Sequence, residues 1–303
     1  IVLAAVKQDA SLLQYADDKL KGDKEIVLAA VKQDASLLQY ADEKLKGDRE
    51  IILTAIKQDA SDPSKISASI LQYADKKLKG DKEVVLAAIK QNGSALEYAD
   101  KKLRVDKKIV LIAVKQNGYA LSYTNKKLKA DKEVVLAALG KSRGRALQIA
   151  DKKLKANKEV VLEAVKQEGS NLQYADKKLK ADKEVILVAV KQDDFALKYA
   201  NKKLKADKKF ILEAVKQDAS LLQYADDKLK GDKEIVLAAV KQDRRSYLCF
   251  LEYADKKIKG DKKVVLVAVK KHGFNLQYAD KKLKGDKEVV LAALKQNGSA
   301  LEY

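Results

Sequence analysis

The chain has 303 residues, 63 of them Lys or Arg and 44 Asp or Glu, for a formal charge of +19. A single Cys excludes a disulfide framework within the chain, and one His beside that one Cys leaves no spaced set of metal ligands. No apolar run approaches the ~18 residues that a membrane-crossing helix needs, so the visible sequence offers no transmembrane segment.

Length alone suggests two globular domains, but one sentence of about 25 residues repeats along the chain. Copies begin at Ile1, Ile26, Ile51, Val84, Ile109, Val134, Val160, Val185, Phe210, Ile235, Val264 and Val289. A fixed period in this range marks an array in which each copy touches mainly its neighbours. The expected fold class is therefore all-α: an α-solenoid of stacked helix-turn-helix repeats, with 1–303 forming a single array of twelve copies. One copy alone has too few large aliphatic side chains to offset the entropy of ordering it, and stacking supplies the missing burial.

The first copy opens on Ile1 without the Asp-Lys-Glu that precedes the others, and the last stops at Tyr303 part-way along its second helix. Neither end carries the atypical polar capping unit that solenoids generally need. The expectation is a segment truncated at both ends, with any targeting signal outside it.

The copy at 26–50 shows the expected elements. Asp23 caps a first helix over Lys24, Glu25 and the Ile-Val-Leu-Ala-Ala-Val run, ending near Gln33. Asp34 caps a second helix running continuously through Leu37, Leu38, Ala41 and Leu45, and Gly47 is placed to close it in a left-handed conformation. Other copies carry Ala130, Ala156, Ala181, Ala206 or Val105 at that last slot, so glycine is not obligatory there. Asn-Gly at Asn92, Asn117 and Asn297 marks a turn that tolerates positive φ. The first helix is apolar over more than half its circumference, which predicts enclosure by its own second helix and the neighbouring copies.

Departures from the repeat are where a site is sought. The copy at 51 gains eight residues in the stretch Ser61 to Ser69. Asp62 and Pro63 there read as a helix start, and Ile66 and Ile70 follow at intervals of four, so the second helix is expected to lengthen by about two turns. The altered turn of the copy at 134, with Gly140, Arg143, Gly144 and Arg145, is expected to loosen the end of its first helix. The copy at 235 gains four residues and places Arg244 and Arg245 beside Tyr247, Leu248, Cys249 and Phe250. All three changes fall at the same edge, where Tyr119, Phe195 and Phe274 also replace the Ser11 of the first copy. Arginine and aromatics are enriched at interfaces. The candidate partner-binding residues are therefore Pro63, Ile66, Ile70, Tyr119, Arg143, Arg145, Phe195, Arg244, Arg245, Tyr247, Phe250 and Phe274. A second variable slot, Ala4 in the first copy, becomes Thr54, Ile112, Glu163, Val188, Glu213 and Val267, as an exposed position would.

A tyrosine recurs at one slot from Tyr15 to Tyr303, with Ile149 the exception. It lies at the margin of the second helix's apolar arc, which reads as packing with the hydroxyl near water rather than as a base-stacking ladder. Charge is uneven. The copies at 1–25 and 26–50 each carry four basic and five acidic side chains, whereas 185–209 carries seven Lys against three Asp. Only six of the basic residues are Arg, which disfavours bidentate base readout. Lysine at a helix end complements the macrodipole, a sufficient structural reason for it to recur.

Asp-Lys-Glu-Val-Val-Leu-Ala-Ala at the helix entry (Asp286 to Ala293), the Asn-Gly turn, and Leu-x-Tyr-Ala before Lys-x-Leu-Lys together resemble a tandem element, the domain of unknown function four-one-one-six. The resemblance covers nearly the whole chain except 62–69, 244–247 and the turn at 140–145. It implies helical repeats, no established activity and no catalytic residues. The expectation is thus a non-enzymatic structural or scaffolding protein, without cofactor, metal or small-molecule substrate. It binds another macromolecule, a protein or large assembly, along an extended surface. The alternative is a sequence-non-specific nucleic-acid or polyanion binder using a lysine-rich face. The lone cysteine favours an intracellular setting without fixing a compartment.

Overall fold

The computed structural model describes residues 1–59, 70–242 and 249–303. The lengthened segment of the copy at 51, with Pro63 and Ile66, and the insertion carrying Arg244, Arg245 and Tyr247 lie outside the described residues. The chain divides into two compact units, Ile1–Glu163 and Ala164–Tyr303. Each is an all-α solenoid of stacked copies, and no strand occurs among the described residues.

In the first unit, the helix Lys107–Gln116 packs against the corresponding helices Lys82–Gln91 and Lys132–Gly140 of the adjacent copies. Its Ile109, Val110, Ala113 and Val114 are buried, the four positions that fall on one arc at 100° per residue. In the second unit, Lys233–Gln242 is held the same way between Lys208–Gln217 and Lys262–Lys271. Asp106 and Asp261 cap their helices by accepting two backbone N–H bonds each. These first helices are not enclosed all round, as the expectation had it. Their third apolar residue, such as Leu53, Leu86 or Leu111, is only half-buried, and the variable slot beside it faces outward.

The second helix is also not continuous. It divides into a 3-10 segment and a short α-helix, Ala35–Tyr40 and Glu43–Lys46 in the copy at 26. Ala41 and Asp42 between them are extended, with ψ near 150°. The cause lies in the neighbouring copy: the Asp42 amide donates to the Lys21 carbonyl (3.0 Å), not to a carbonyl of its own helix. The same bond links Asp100 to Lys79 (2.8 Å) in the first unit and Asn201 to Lys180 (2.8 Å) in the second. The apolar spacing survives this break. Leu37 and Leu38 on one side and Leu45 on the other are all buried.

Gly47 has φ −93° and ψ −2°, right-handed rather than left-handed, and Ala130 and Ala156 take the same conformation. No conformational penalty distinguishes glycine from alanine there, which is why the two alternate. Left-handed backbone occurs at the altered turn, at Arg143 (φ 50°) and Gly144 (φ 78°). That turn is tied down rather than loosened. The buried Ser142 hydroxyl donates to Ala138 O (2.9 Å) and accepts from Ala146 N (3.0 Å), while Gly144 N donates to Leu139 O (3.0 Å).

Candidate interaction surfaces

The charged residues that recur in every copy have structural work within each unit. The lysine opening a first helix reaches the next copy's capping Asp, its Glu, or both. Lys24 lies 2.8 Å from both Asp48 and Glu50, and Lys107 lies 2.8 Å from both Asp131 and Glu133. In the second unit Lys208 meets Asp232 and Glu234, and Lys262 meets Asp286 and Glu288. These hydrogen bonds raise the lysines above their ordinary values. At Asp286 and Asp261 the lysine bond is the largest cause of a depressed carboxyl. At Asp48, Asp131 and Asp232 burial pushes upward, but the lysine and the backbone N–H groups together outweigh it. Asp-Lys-Glu is therefore one rung of an ion-pair ladder between copies.

The lysine ending each short helix has a different partner. Lys79, Lys180 and Lys205 turn their ammonium groups back to the carbonyls of Gln72, Gln173 and Lys198, seven residues earlier, at 2.6–2.7 Å. Burial lowers the proton affinity of all three. Their recurrence thus comes from closing the 3-10 segment more than from the macrodipole of a four-residue helix.

The tyrosine row is half-buried in every interior copy. Burial raises the hydroxyls of Tyr123 and Tyr278, which also approach the preceding copy's Glu97 and Glu252.

The described partner-binding candidates read from the sequence stand in different settings, some buried and some exposed. Ile70 and Phe250 are each 2 % exposed, so their side chains have no surface to offer a partner. Both occupy the slot filled by buried Leu37, Ala95 or Leu221 in other copies, and the inserted residues precede that slot rather than displace it. Tyr119 (45 %) and Phe195 (56 %) are exposed, as are Arg143 and Arg145. Phe195 and the half-buried Phe274 stand edge-on to the next copy's tyrosines, Tyr224 at 6.3 Å and Tyr303 at 6.0 Å. Each therefore extends the inter-copy packing as well as the surface.

The outward face of the first helices was only partly visible in the sequence. In the first unit, successive helices leave open grooves whose walls are Leu53 and Lys57 on one side and Glu83, Leu86, Ala87 and Lys90 on the other. Half-buried leucines and exposed lysines line them, and the variable slot contributes Thr54 and Ala87. Among the described residues no group of three or more His, Cys, Asp or Glu is placed to hold a metal ion, and no helix is long and apolar enough to cross a membrane.

A family model described as a domain of unknown function (DUF4116) matches the chain seven times in tandem, at residues 1–46, 23–62, 48–104, 106–155, 157–205, 207–259 and 261–303. No curated protein and no solved structure matches it.

Proposed function

The chain belongs to the DUF4116 family of domains of unknown function, and from that premise we propose that it is a non-catalytic scaffold binding an acidic, amphipathic segment of another protein. The segment lies along the outward face of the first helices. The observation that carries this reading is the groove between Leu53 and Leu86, lined by these half-buried leucines and by the exposed Lys57 and Lys90. Half-buried leucines offer apolar area to a docking segment, and the lysines match its charge. The constant frame with a changing residue in its lining is how repeat arrays vary what they bind.

The slot gives a clean test, because Glu163 and Glu213 occupy it natively and the fold accommodates them. A double variant, Thr54→Glu with Ala87→Glu, is expected to keep its helical circular dichroism. It should lose, by about tenfold or more, the cross-linked protein peptides that the wild-type chain yields at Lys57 and Lys90, since like charge in a groove costs a rim contact more than it costs the fold. Undiminished cross-links in the variant would remove this face from the reading.

A further inference from the structure

Sorting the lysines by what they touch leaves two exposed sets without an ion-pair partner among the described residues. One is a single lysine near the end of each first helix, such as Lys32 and Lys115, and the other is a pair that opens the short-helix segment. Lysines that open first helices, such as Lys107, belong to the ion-pair ladder, and Lys79, Lys155, Lys180, Lys205 and Lys259, which end short helices, cap carbonyls. The two at the start of the short-helix segment do neither. Lys76, Lys77, Lys101, Lys102, Lys126 and Lys127 are all exposed, and none lies within ion-pairing distance of a carboxylate among the described residues. Elsewhere the first of these two positions is acidic, and there it supplies a partner: Glu43 pairs with Lys46 and Asp227 with Lys230. Replacing that acid by lysine removes an ion pair and doubles the local positive charge. The exchange recurs from Lys76 onward in the first unit, and the second unit opens its own row at Lys177 and Lys178.

The rows are in register because the backbone holds them so. Asp100 N bonds to Lys79 O (2.8 Å) and Asp151 N to Lys129 O (2.8 Å), which ties the pair at Lys101 and Lys102 to that at Lys76 and Lys77, and the pair at Lys152 and Lys153 to that at Lys126 and Lys127. The residue after two of these pairs, Leu78 or Leu128, is buried, whereas Leu103 is half-buried and Val105 near it is exposed, so the row presents charge with little apolar surface beside it.

We propose that this lysine comb binds the phosphodiester backbone of a nucleic acid, without base readout. This goes beyond the protein-scaffold reading and uses different residues. Exposed lysines facing separate carboxylates gain little, because water screens each pair. A continuous phosphate chain differs, since each neutralised phosphate releases a condensed counterion and the contributions accumulate along the row. An acidic protein segment would need apolar burial to bind well, and beside the comb only Leu103 and Val105 offer any among the described residues. The set is wholly lysine, which contacts phosphate as a point charge and lacks the guanidinium fork that reads guanine.

The test is fluorescence anisotropy of a labelled oligouridine RNA with the full chain across a salt series. The wild type should bind with log affinity falling linearly in log salt. Glutamate at Lys76, Lys77, Lys101 and Lys102 should weaken binding more than about tenfold at fixed salt, and glutamine at the same four should flatten the slope by about 0.7 for each phosphate left unneutralised. A control with the same charge change, glutamate at the exposed Lys166, Lys191, Lys216 and Lys270, should lose less than about threefold, because it leaves the comb intact. Equal losses in comb and control would show bulk attraction and overturn the proposal. So would failure of the wild type to bind RNA, or displacement of RNA by poly-glutamate at equal charge concentration. None of these outcomes bears on the groove variants at Thr54 and Ala87, so the two readings fail separately.

Discussion

Phe250→Ala is expected to destabilise its unit by about 3–5 kcal/mol, as truncation of a fully buried phenyl ring does when the surroundings cannot close. Phe250 opens the 3-10 segment Phe250–Tyr253, which packs on the helices Lys233–Gln242 and Lys262–Lys271 and on the 3-10 segments of both adjacent copies. The cavity would therefore border three copies rather than one. Alanine is native at the same slot at Ala95, Ala120 and Ala196, but there the neighbours are already packed around a methyl group. In the next copy the slot holds buried Asn275. Its side-chain oxygen accepts from Leu251 N (3.3 Å) and its amide donates to Ala268 O (3.1 Å), bonds that set the spacing the ring must fill. Phe195→Ala, at 56 % exposure, is the control and should cost less than about 1 kcal/mol. Urea midpoints of the two variants decide the matter, and equal midpoints would refute the burial of Phe250.

Gly118→Ala is expected to cost about 1–3 kcal/mol, as forced overpacking does. Gly118 has no left-handed φ, so conformational freedom is not what glycine supplies there. A Cβ at this position would stand 2.0 Å from Ala138 O and 2.9 Å from Ser142 Cβ of the following copy. The carbonyl cannot easily retreat, because the Ser142 hydroxyl is bonded to it at 2.9 Å. Gly93 and Gly169 meet the following copy's backbone at 2.3 and 2.2 Å in the same way. Gly298 occupies the equivalent slot and meets nothing within 4 Å. Gly298→Ala should therefore be neutral or stabilising by up to about 1 kcal/mol through the unfolded chain. A shared response at the two glycines, read from parallel denaturation curves, would show that close approach between copies is not their reason for being there.

The period and the Asp caps were enough to read an all-α repeat fold, because both are local signals repeated many times. Ile109, Val110, Ala113 and Val114 show their common arc in the bare sequence. The break at Ala41-Asp42 was not legible. The apolar spacing runs through it unchanged, and the deciding bond goes to a carbonyl in another copy. Glycine at the Asn-Gly turn was legible as special but for the wrong reason, since a φ preference can be guessed from one residue and a close approach cannot. Phe250 was misread for a related cause: beside Arg244, Arg245 and Tyr247 its sequence neighbourhood resembles an interface, while its place in the repeat is a core slot. The lysines carried the opposite difficulty. Composition shows an excess of positive charge, but only the contacts of Lys107, Lys79 and Lys76 separate ladder, carbonyl cap and free comb.

The fold rests on each copy being stable only through its neighbours. Arrays of increasing copy number, cut from 84–163 at repeat boundaries and unfolded in urea under circular dichroism, test that dependence most directly. A single copy should show no helical signal, and both midpoint and m-value should climb as copies are added, because each new interface buries more surface. A lone copy that folds, with a midpoint equal to that of the longer arrays, would contradict it.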